Sequence, residues 1–251
     1  MRSFCMCKYH LTVVSFILLQ FQVSAFTTLL SKNITDNVRN KKRLTYQHNL
    51  NSINQYRSQQ AIKYRSSNKS VRKQILTNIR TRLEQELTEN IFPAWDGTPW
   101  KFHGTTQKPG QGTIACGYFV STCLTHLGYD VNRVKLAQQP SQRIIKTFMD
   151  RSAMDISSKR SLSNIKKQLI RSGNGIYIVG LDTHVGFVTV SGETITFVHS
   201  SYYRNPSRVV KSELYHTKNP LSDSNYRVFG KIFHDDMLIK WLNGHKYQVA
   251  K

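Results

Sequence analysis

The sequence predicts an α+β domain, with helices first and a mainly antiparallel sheet second. Three observations carry this. Apolar residues recur every four positions from Val71 to Ile91, a second apolar helical stretch runs from Cys116 to Leu127, and four β-rich segments punctuated by turn residues follow Gly175. The chain has 251 residues and is 39 % hydrophobic and 11 % aromatic. That is enough apolar material for a real core, and it excludes a wholly disordered, collagen-like or disulfide-stapled chain.

The first element is not part of the fold. Arg2 and Lys8 precede an apolar run at residues 11–21 (LTVVSFILLQF), which ends in Val23-Ser24-Ala25. This is the charged, apolar and small-residue order of a secretory signal, so residues 1–25 are expected to be removed after Ala25. The run falls short of the roughly 20 residues a bilayer span needs, so no integral membrane segment is expected once the signal is cleaved. A secreted or periplasmic location follows. Residues 26–70 hold nine basic residues against Asp36 alone, many Asn and Gln, and no sustained apolar period. They read as a basic, disordered linker or tail, which leaves 71–251 as the folded domain.

Within that domain Val71, Ile75, Ile79, Leu83, Leu87 and Ile91 form an amphipathic helix, with Arg80/Glu84 and Arg82/Glu86 pairing on its outer face and Pro93 as its stop. A turn-rich stretch from Gly97 to Gly112 leads into YFVSTCLTHLG, where Phe119, Val120, Cys123, Leu124 and Leu127 resume helical spacing before Gly128 ends it. Residues 140–149 and 160–171 read as two more helices, the second broken at Ser172-Gly173-Asn174-Gly175. Strands are expected at 175–181, 183–190, 194–201 and 226–233, and a last helix at 235–242.

Cys116 falls in the first turn of its helix, where unsatisfied backbone N–H groups and the helix dipole favour a thiolate and are expected to lower its pKa. The same N–H groups could hold the oxyanion formed when a carbonyl is attacked. If Ser191-Gly192 is a two-residue hairpin turn, His184 lies directly opposite His199 on one face. One imidazole could then take the thiol proton while the other orients it. Cys123 reads as core. Seven residues along a helix put it about 10 Å from Cys116, too far for a disulfide. The C-x6-C spacing does not match zinc ligation either, so no metal or other cofactor is expected.

At these residues the sequence resembles the NlpC-type cell-wall cysteine peptidases of the papain-like superfamily. The segment GTPWKFHGTTQKPGQGTIACGYFVSTCLTHLG is similar to that family's aromatic and glycine-rich entry, its Cys at a helix start and its apolar helix. THVGFVTV and then FVHSS resemble its second and third blocks, so the likeness covers about residues 95–201. It implies a papain-like fold with Cys116 as nucleophile, His184 as base and His199 as the orienting third residue. It also implies hydrolysis of peptidoglycan stem peptides, typically at a D-glutamyl linkage to a diamino acid. The family usually has an acidic residue and a Ser around its Cys, where this chain has Ala115 and Gly117. Trp100 stands where the family often has a Tyr. By loop position Trp100, His103, Tyr202, Tyr203 and Arg204 are candidates for the cleft wall.

A formal charge of +22 points to polyanionic partners, which peptidoglycan and the other anionic polymers of cell walls are; nucleic acid fits the charge alone but is not favoured. Two other readings stand beside the hydrolase. One is a papain-like amidase or acyltransferase acting on another amide or ester through the same triad. The other is a non-enzymatic basic module that binds polyanions, with its histidines incidental.

Overall fold

The computed structural model describes residues 44–203, 205–216 and 219–250. The expected signal at 1–25 and the first part of the expected linker, 26–43, lie outside the described residues, as does Arg204. The rest of the expected linker is structured. Residues 44–66 are helical (α1), with Tyr46, Ile53 and Ala61 buried in the main core. The boundary expected at residue 71 is therefore corrected, since the folded domain already includes α1. Its apolar residues are spaced about two turns apart, too sparse to read as a stripe. Tertiary contacts hold it instead: the Tyr46 hydroxyl sits 2.7 Å from His126 Nδ1 and accepts from Trp95 Nε1 at 3.0 Å, while Arg57 donates to the Gly128 carbonyl at 2.8 Å.

Asn68 caps α2 (Lys69–Gln85) by accepting from the Val71 N–H. The helix continues through a π-helical segment, Glu86–Ile91, into the single turn α3 (Phe92–Trp95). The π segment has a physical reason. A strict four-residue repeat drifts roughly 40° per step around a helix of 3.6 residues per turn, and Val71 is already exposed. The wider π turn reverses that drift, so Leu87 and Ile91 stay fully buried. Pro93 does not end the helix as expected; it sits in the first turn of α3, directly after the π segment. Arg82 pairs with Glu86 at 3.3 Å as expected, whereas Arg80 pairs with Asp235 rather than Glu84.

α4 (Cys116–His126) follows the turn-rich stretch. Then come β1 (Asp130–Val131), α5 (Arg133–Ala137), α6 (Ser141–Lys146), a 3-10 turn at Arg151–Ala153, β2 (Met154–Ser158) and α7 (Leu162–Ser172). The remaining strands are β3 (Gly175–Leu181), β4 (Val185–Ser191), β5 (Thr194–Ser201), β6 (Arg208–Glu213) and β7 (Tyr226–Lys231), with a short α8 (Pro220–Asp223) before β7. α9 (Asp235–Leu242) and β8 (Lys246–Tyr247) end the described chain.

Six strands form one sheet in the order β2-β7-β3-β4-β5-β6, every neighbouring pair antiparallel; β1 and β8 make a small parallel pair. The protein is thus α+β, with its N-terminal helices packed on a mainly antiparallel sheet. The alternation along β3 shows how the core divides. Ile176 and Ile178 join the cluster of Leu83, Ile91, Phe119 and Phe187, while Tyr177 and Val179 face Ile165 and Leu169 of α7. Both faces are covered, and each fully buried Ile or Leu contributes about 1.5–3 kcal/mol.

Candidate functional site

Cys116 is positioned from both sides. Residues 97–115 carry no helix or strand of their own, yet their backbone is pinned throughout. Trp100 N–H donates to the Ser207 carbonyl, Ile114 N–H to the Pro99 carbonyl and Ala115 N–H to the Gly104 carbonyl, each at 2.9 Å. Gly104 is required there, because a Cβ would lie 2.6 Å from the Ile114 nitrogen. β5 adds a tie through the Ser200 hydroxyl, which donates to the Ile114 carbonyl at 2.7 Å, two residues before the cysteine. Cys116 then opens α4, whose N-cap Ala115 provides no side-chain acceptor. The first N–H groups of the helix are left for something else.

The histidine pair lies at the adjoining end of the sheet. His184 ends the tight β3–β4 connection, closed by the Leu181 N–H donating to the His184 carbonyl at 2.8 Å. That turn is fixed from outside as well: the Ser141 hydroxyl donates to the Leu181 carbonyl, and the Asp182 carboxylate accepts from the N–H groups of Asn225 and Tyr226. His184 Nε2 is 2.8 Å from Nδ1 of His199, and both rings are buried.

The register differs from the expected one. Ser191 pairs with Thr194 and Phe187 with Val198, so the turn is Gly192-Glu193, with Gly192 at φ 58°. Continued along the ladder, this puts His199 opposite Gly186 and leaves His184 on the diagonal. A shift of two preserves the face, because side chains alternate with period two, and imidazoles are long enough to meet diagonally. Gly186 makes the meeting possible. A Cβ there would lie 2.6 Å from Phe197 Cε2 and 2.8 Å from His199 Cβ. The His199 ring stacks on Phe197 with centroids 4.1 Å apart, which fixes its plane.

Cys116 and His184 share the wall of a small cavity of about 220 Å³ with Val185, Gly117 and Ala137. The thiol is approached by the N–H groups of Val185, Gly117 and Cys116 itself, each of which favours the thiolate. Burial outweighs them and pushes the thiol pKa up, which corrects the expected lowering. Burial likewise holds His184 down at about 3. The pair at rest is therefore a neutral thiol and a neutral imidazole. His184 Nδ1 is buried and has no hydrogen-bond partner, so it can accept a proton delivered inside the cavity.

A larger cavity of about 680 Å³ opens from the same cysteine. Trp100, His103 and Tyr202 all line it, together with Phe102, Tyr118, Thr183 and the α5 end Ala137-Gln138-Gln139. Three of the five expected cleft-wall residues are thus brought to the cavity of Cys116, His103 from an exposed position; Arg204 lies outside the described residues. The Tyr203 ring packs at a tilt of 58° against Tyr202, with centroids 4.8 Å apart. The Tyr202 hydroxyl is 3.0 Å from Thr183 Oγ1, and its ring packs edge-on against His184 at 5.4 Å.

Sequence reasoning missed Gly186, Ser200, Thr183 and the α5 end. The first two lie within the HVG and HSS segments, where a glycine opposite a histidine was the available signal; α5 carried none. Cys123 is free and fully buried, and Cys116 is also unpaired. Among the described residues no group of three or more His, Cys, Asp or Glu is arranged to hold a metal ion, and no helix is long and apolar enough to cross a membrane. A separate cavity of about 530 Å³ between α3 and strands β4 to β6 contains none of the candidate residues. Compared with known proteins, the chain matches no family model, no curated protein and no solved structure.

Proposed function

We propose that the protein is a secreted, papain-like cysteine hydrolase that cleaves amide bonds in the stem peptides of bacterial peptidoglycan, at a D-glutamyl linkage to a diamino acid. The observation that carries the reading is a cysteine at a helix start sharing one cavity with His184, which is itself bonded to the buried His199 behind it. The basic charge supports it, since a strongly positive protein concentrates on an anionic wall through a salt-screened attraction.

In this reading His184 holds its proton on Nε2 and donates it to His199 Nδ1, which leaves Nδ1 free as the base. Nδ1 takes the thiol proton as sulfur attacks the carbonyl carbon. The S–C bond forms and the carbonyl π pair moves to oxygen, where the Cys116 N–H can receive it. Collapse expels the amine, which takes its proton back from His184, and water later releases the acyl group. No metal enters any step.

The test is incubation of purified full-length protein and Cys116→Ala with peptidoglycan sacculi, with mass spectrometry of the released peptides. The reading expects fragments that begin at the diamino acid from the wild type and none from the variant. Equal binding of both proteins to sacculi without any release would favour the non-enzymatic polyanion-binding module. A second reading, an acyltransferase using the same triad, is favoured by the closure of His184 Nδ1 from solvent, which restrains water as an acceptor. It expects the acyl group on an added amine rather than as a free acid.

A further inference from the structure

Between Leu44 and Leu83 the chain carries eight Lys and Arg and no Asp or Glu. Three of the eight are engaged within the fold: Arg57 donates to the Gly128 carbonyl, Arg80 pairs with Asp235 and Arg82 with Glu86. The other five, Lys63, Arg65, Lys69, Arg72 and Lys73, are all exposed, and none pairs with a carboxylate among the described residues. All five gather at the corner where α1 ends and α2 begins.

The corner is held in one shape. Ser67 N–H donates to the Tyr64 carbonyl, and Arg72 reaches back from α2 to donate to the Tyr64 and Arg65 carbonyls at 2.9 and 3.1 Å. Lys69 stands three and four residues before Arg72 and Lys73, a spacing that makes them neighbours on the helix surface, where like charges cost stability. Positive charge in the first turn of α2 also opposes the helix dipole. Both effects work against folding, and a surface that breaks local rules with no compensation inside the fold is one kept for a partner. Charge makes that partner anionic, and the uncharged residues narrow it further. The Arg72 guanidinium covers the Tyr64 ring, 5.2 Å from its centroid, so the corner offers no free ring for bases to stack on. Apart from the exposed Ile62 and Val71, the apolar residues near it (Ile75, Leu76 and Ile79) are buried, which leaves no apolar face to enter a lipid surface.

We propose that the α1–α2 corner docks the protein on an anionic wall glycopolymer, its cations set against phosphate or carboxylate groups repeated along the polymer. The choice of polymer rests on the reading of the protein as a cell-wall hydrolase. The corner is a site apart from the chemistry, since neither cavity at Cys116 is lined by a residue of α1 or α2. Contacts made there hold the protein on the wall without occupying the cleft. Attraction between exposed charges is screened by salt, so the docking weakens as salt rises.

The experiment is co-sedimentation of the full-length protein, carrying Cys116→Ala so that the wall stays uncut, with two kinds of sacculi. One kind retains its phosphodiester-linked polymers and the other is stripped of them by hydrofluoric acid. Binding to intact sacculi alone assigns the anions to the phosphates; binding to both assigns them to stem-peptide carboxylates. The corner variant combines Lys63→Gln, Arg65→Gln, Lys69→Gln and Lys73→Gln, with Arg72 kept for its bonds to α1. A control removes as many charges elsewhere, by Gln at the exposed Lys146, Lys167, Arg171 and Lys246. The proposal expects the dissociation constant to rise about 30-fold in the corner variant and to stay within about threefold in the control, at equal thermal midpoints. Should the corner variant lose stability, Arg at Lys63, Lys69 and Lys73 keeps the charge and should bind as the parent does. An equal loss in corner variant and control overturns the proposal, because net charge would then suffice, and so does unchanged binding by the corner variant. Loss of duplex DNA binding with sacculus binding intact overturns it in favour of nucleic acid. Peptide release by the proteins with Cys116 present tells the two readings apart: release without corner-dependent binding removes the docking role alone, and corner-dependent binding without release removes the hydrolase alone.

Discussion

The thiol of Cys116 shows how opposing effects settle at one residue. Three N–H groups and a helix start favour the thiolate, yet burial pushes its pKa up, and burial keeps His184 neutral down to about 3. A preformed thiolate–imidazolium pair would need both shifts reversed. The proposed mechanism therefore requires nucleophilicity to be created when substrate arrives, by proton transfer to the unpartnered Nδ1 of His184. The expected outcome is that iodoacetamide alkylation of Cys116 rises continuously from pH 6 to pH 9, about tenfold per unit, because the small thiolate fraction follows pH below a raised thiol pKa. A plateau in the neutral range would indicate the ion pair instead. In the proposed mechanism His199 acts on Cys116 only through His184, to which it is bonded at 2.8 Å, and is a positioning residue. His199→Asn, which can still accept from Nε2, should lower peptide release by about tenfold while leaving alkylation unchanged, and His199→Ala should lower release further.

At the level of elements, the site depends on two close approaches that only glycine allows. Gly117 in the first turn of α4 meets the Ala137 carbonyl so closely that a Cβ would strike it, and this contact holds α5 against the cavity. Gly186 makes room for His199. Gly117→Ala should destabilise the protein by about 1–3 kcal/mol through overpacking and move the α5 end away from Cys116. Gly186→Ala should cost a similar amount and also lower activity, since it pushes on the His184 partner; denaturant melts and peptide release separate the two effects. Much of this was legible in the sequence. β3, β5 and α9 fall where turn residues and apolar period place them, and Cys116 opens its helix as its spacing implies. The histidine register was legible only to within two residues, because either Ser191-Gly192 or Gly192-Glu193 can close the hairpin and local chemistry favours neither strongly. α1 and β6 were missed for different reasons. α1 buries too few residues to show a stripe, and β6 is one of the two edge strands of the sheet, recognised by its pairing with β5 rather than by its own composition.

Across the whole molecule, several buried groups couple folding to pH. His184 and His126 are held neutral by burial, His126 at about 4 with Arg133 adding to the effect. Both bind protons more readily when the chain is unfolded, so the stability they confer is full above about pH 6.5 and is lost as pH falls toward their folded values. Burial raises the carboxyls of Glu84 and Glu86, and these work in the opposite direction, favouring the fold as they protonate. Comparison with His126→Gln removes the shared carboxyl contributions. The wild type should lose about 3 kcal/mol more than the variant between pH 7 and pH 4, read from urea melts at each pH; parallel pH dependence would show that His126 does not titrate with folding. The N-terminal helix belongs to the same cooperative unit. A chain beginning at residue 71 lacks Tyr46 and Ile53, together with the Tyr46 bonds to His126 and Trp95. Its thermal midpoint should fall by more than about 10 °C, a loss of several kcal/mol in a domain of this size.

One comparison bears most directly on the triad: the rates at which wild type, Cys116→Ala and His184→Ala release peptides from the same sacculi, with alkylation of Cys116 followed alongside where the thiol is present. A working triad requires release by the wild type alone, with His184→Ala still alkylated at its cysteine but unable to cut. Release of the same peptides by Cys116→Ala at the wild-type rate would contradict it, because the carbonyl would then be attacked by something other than this thiol.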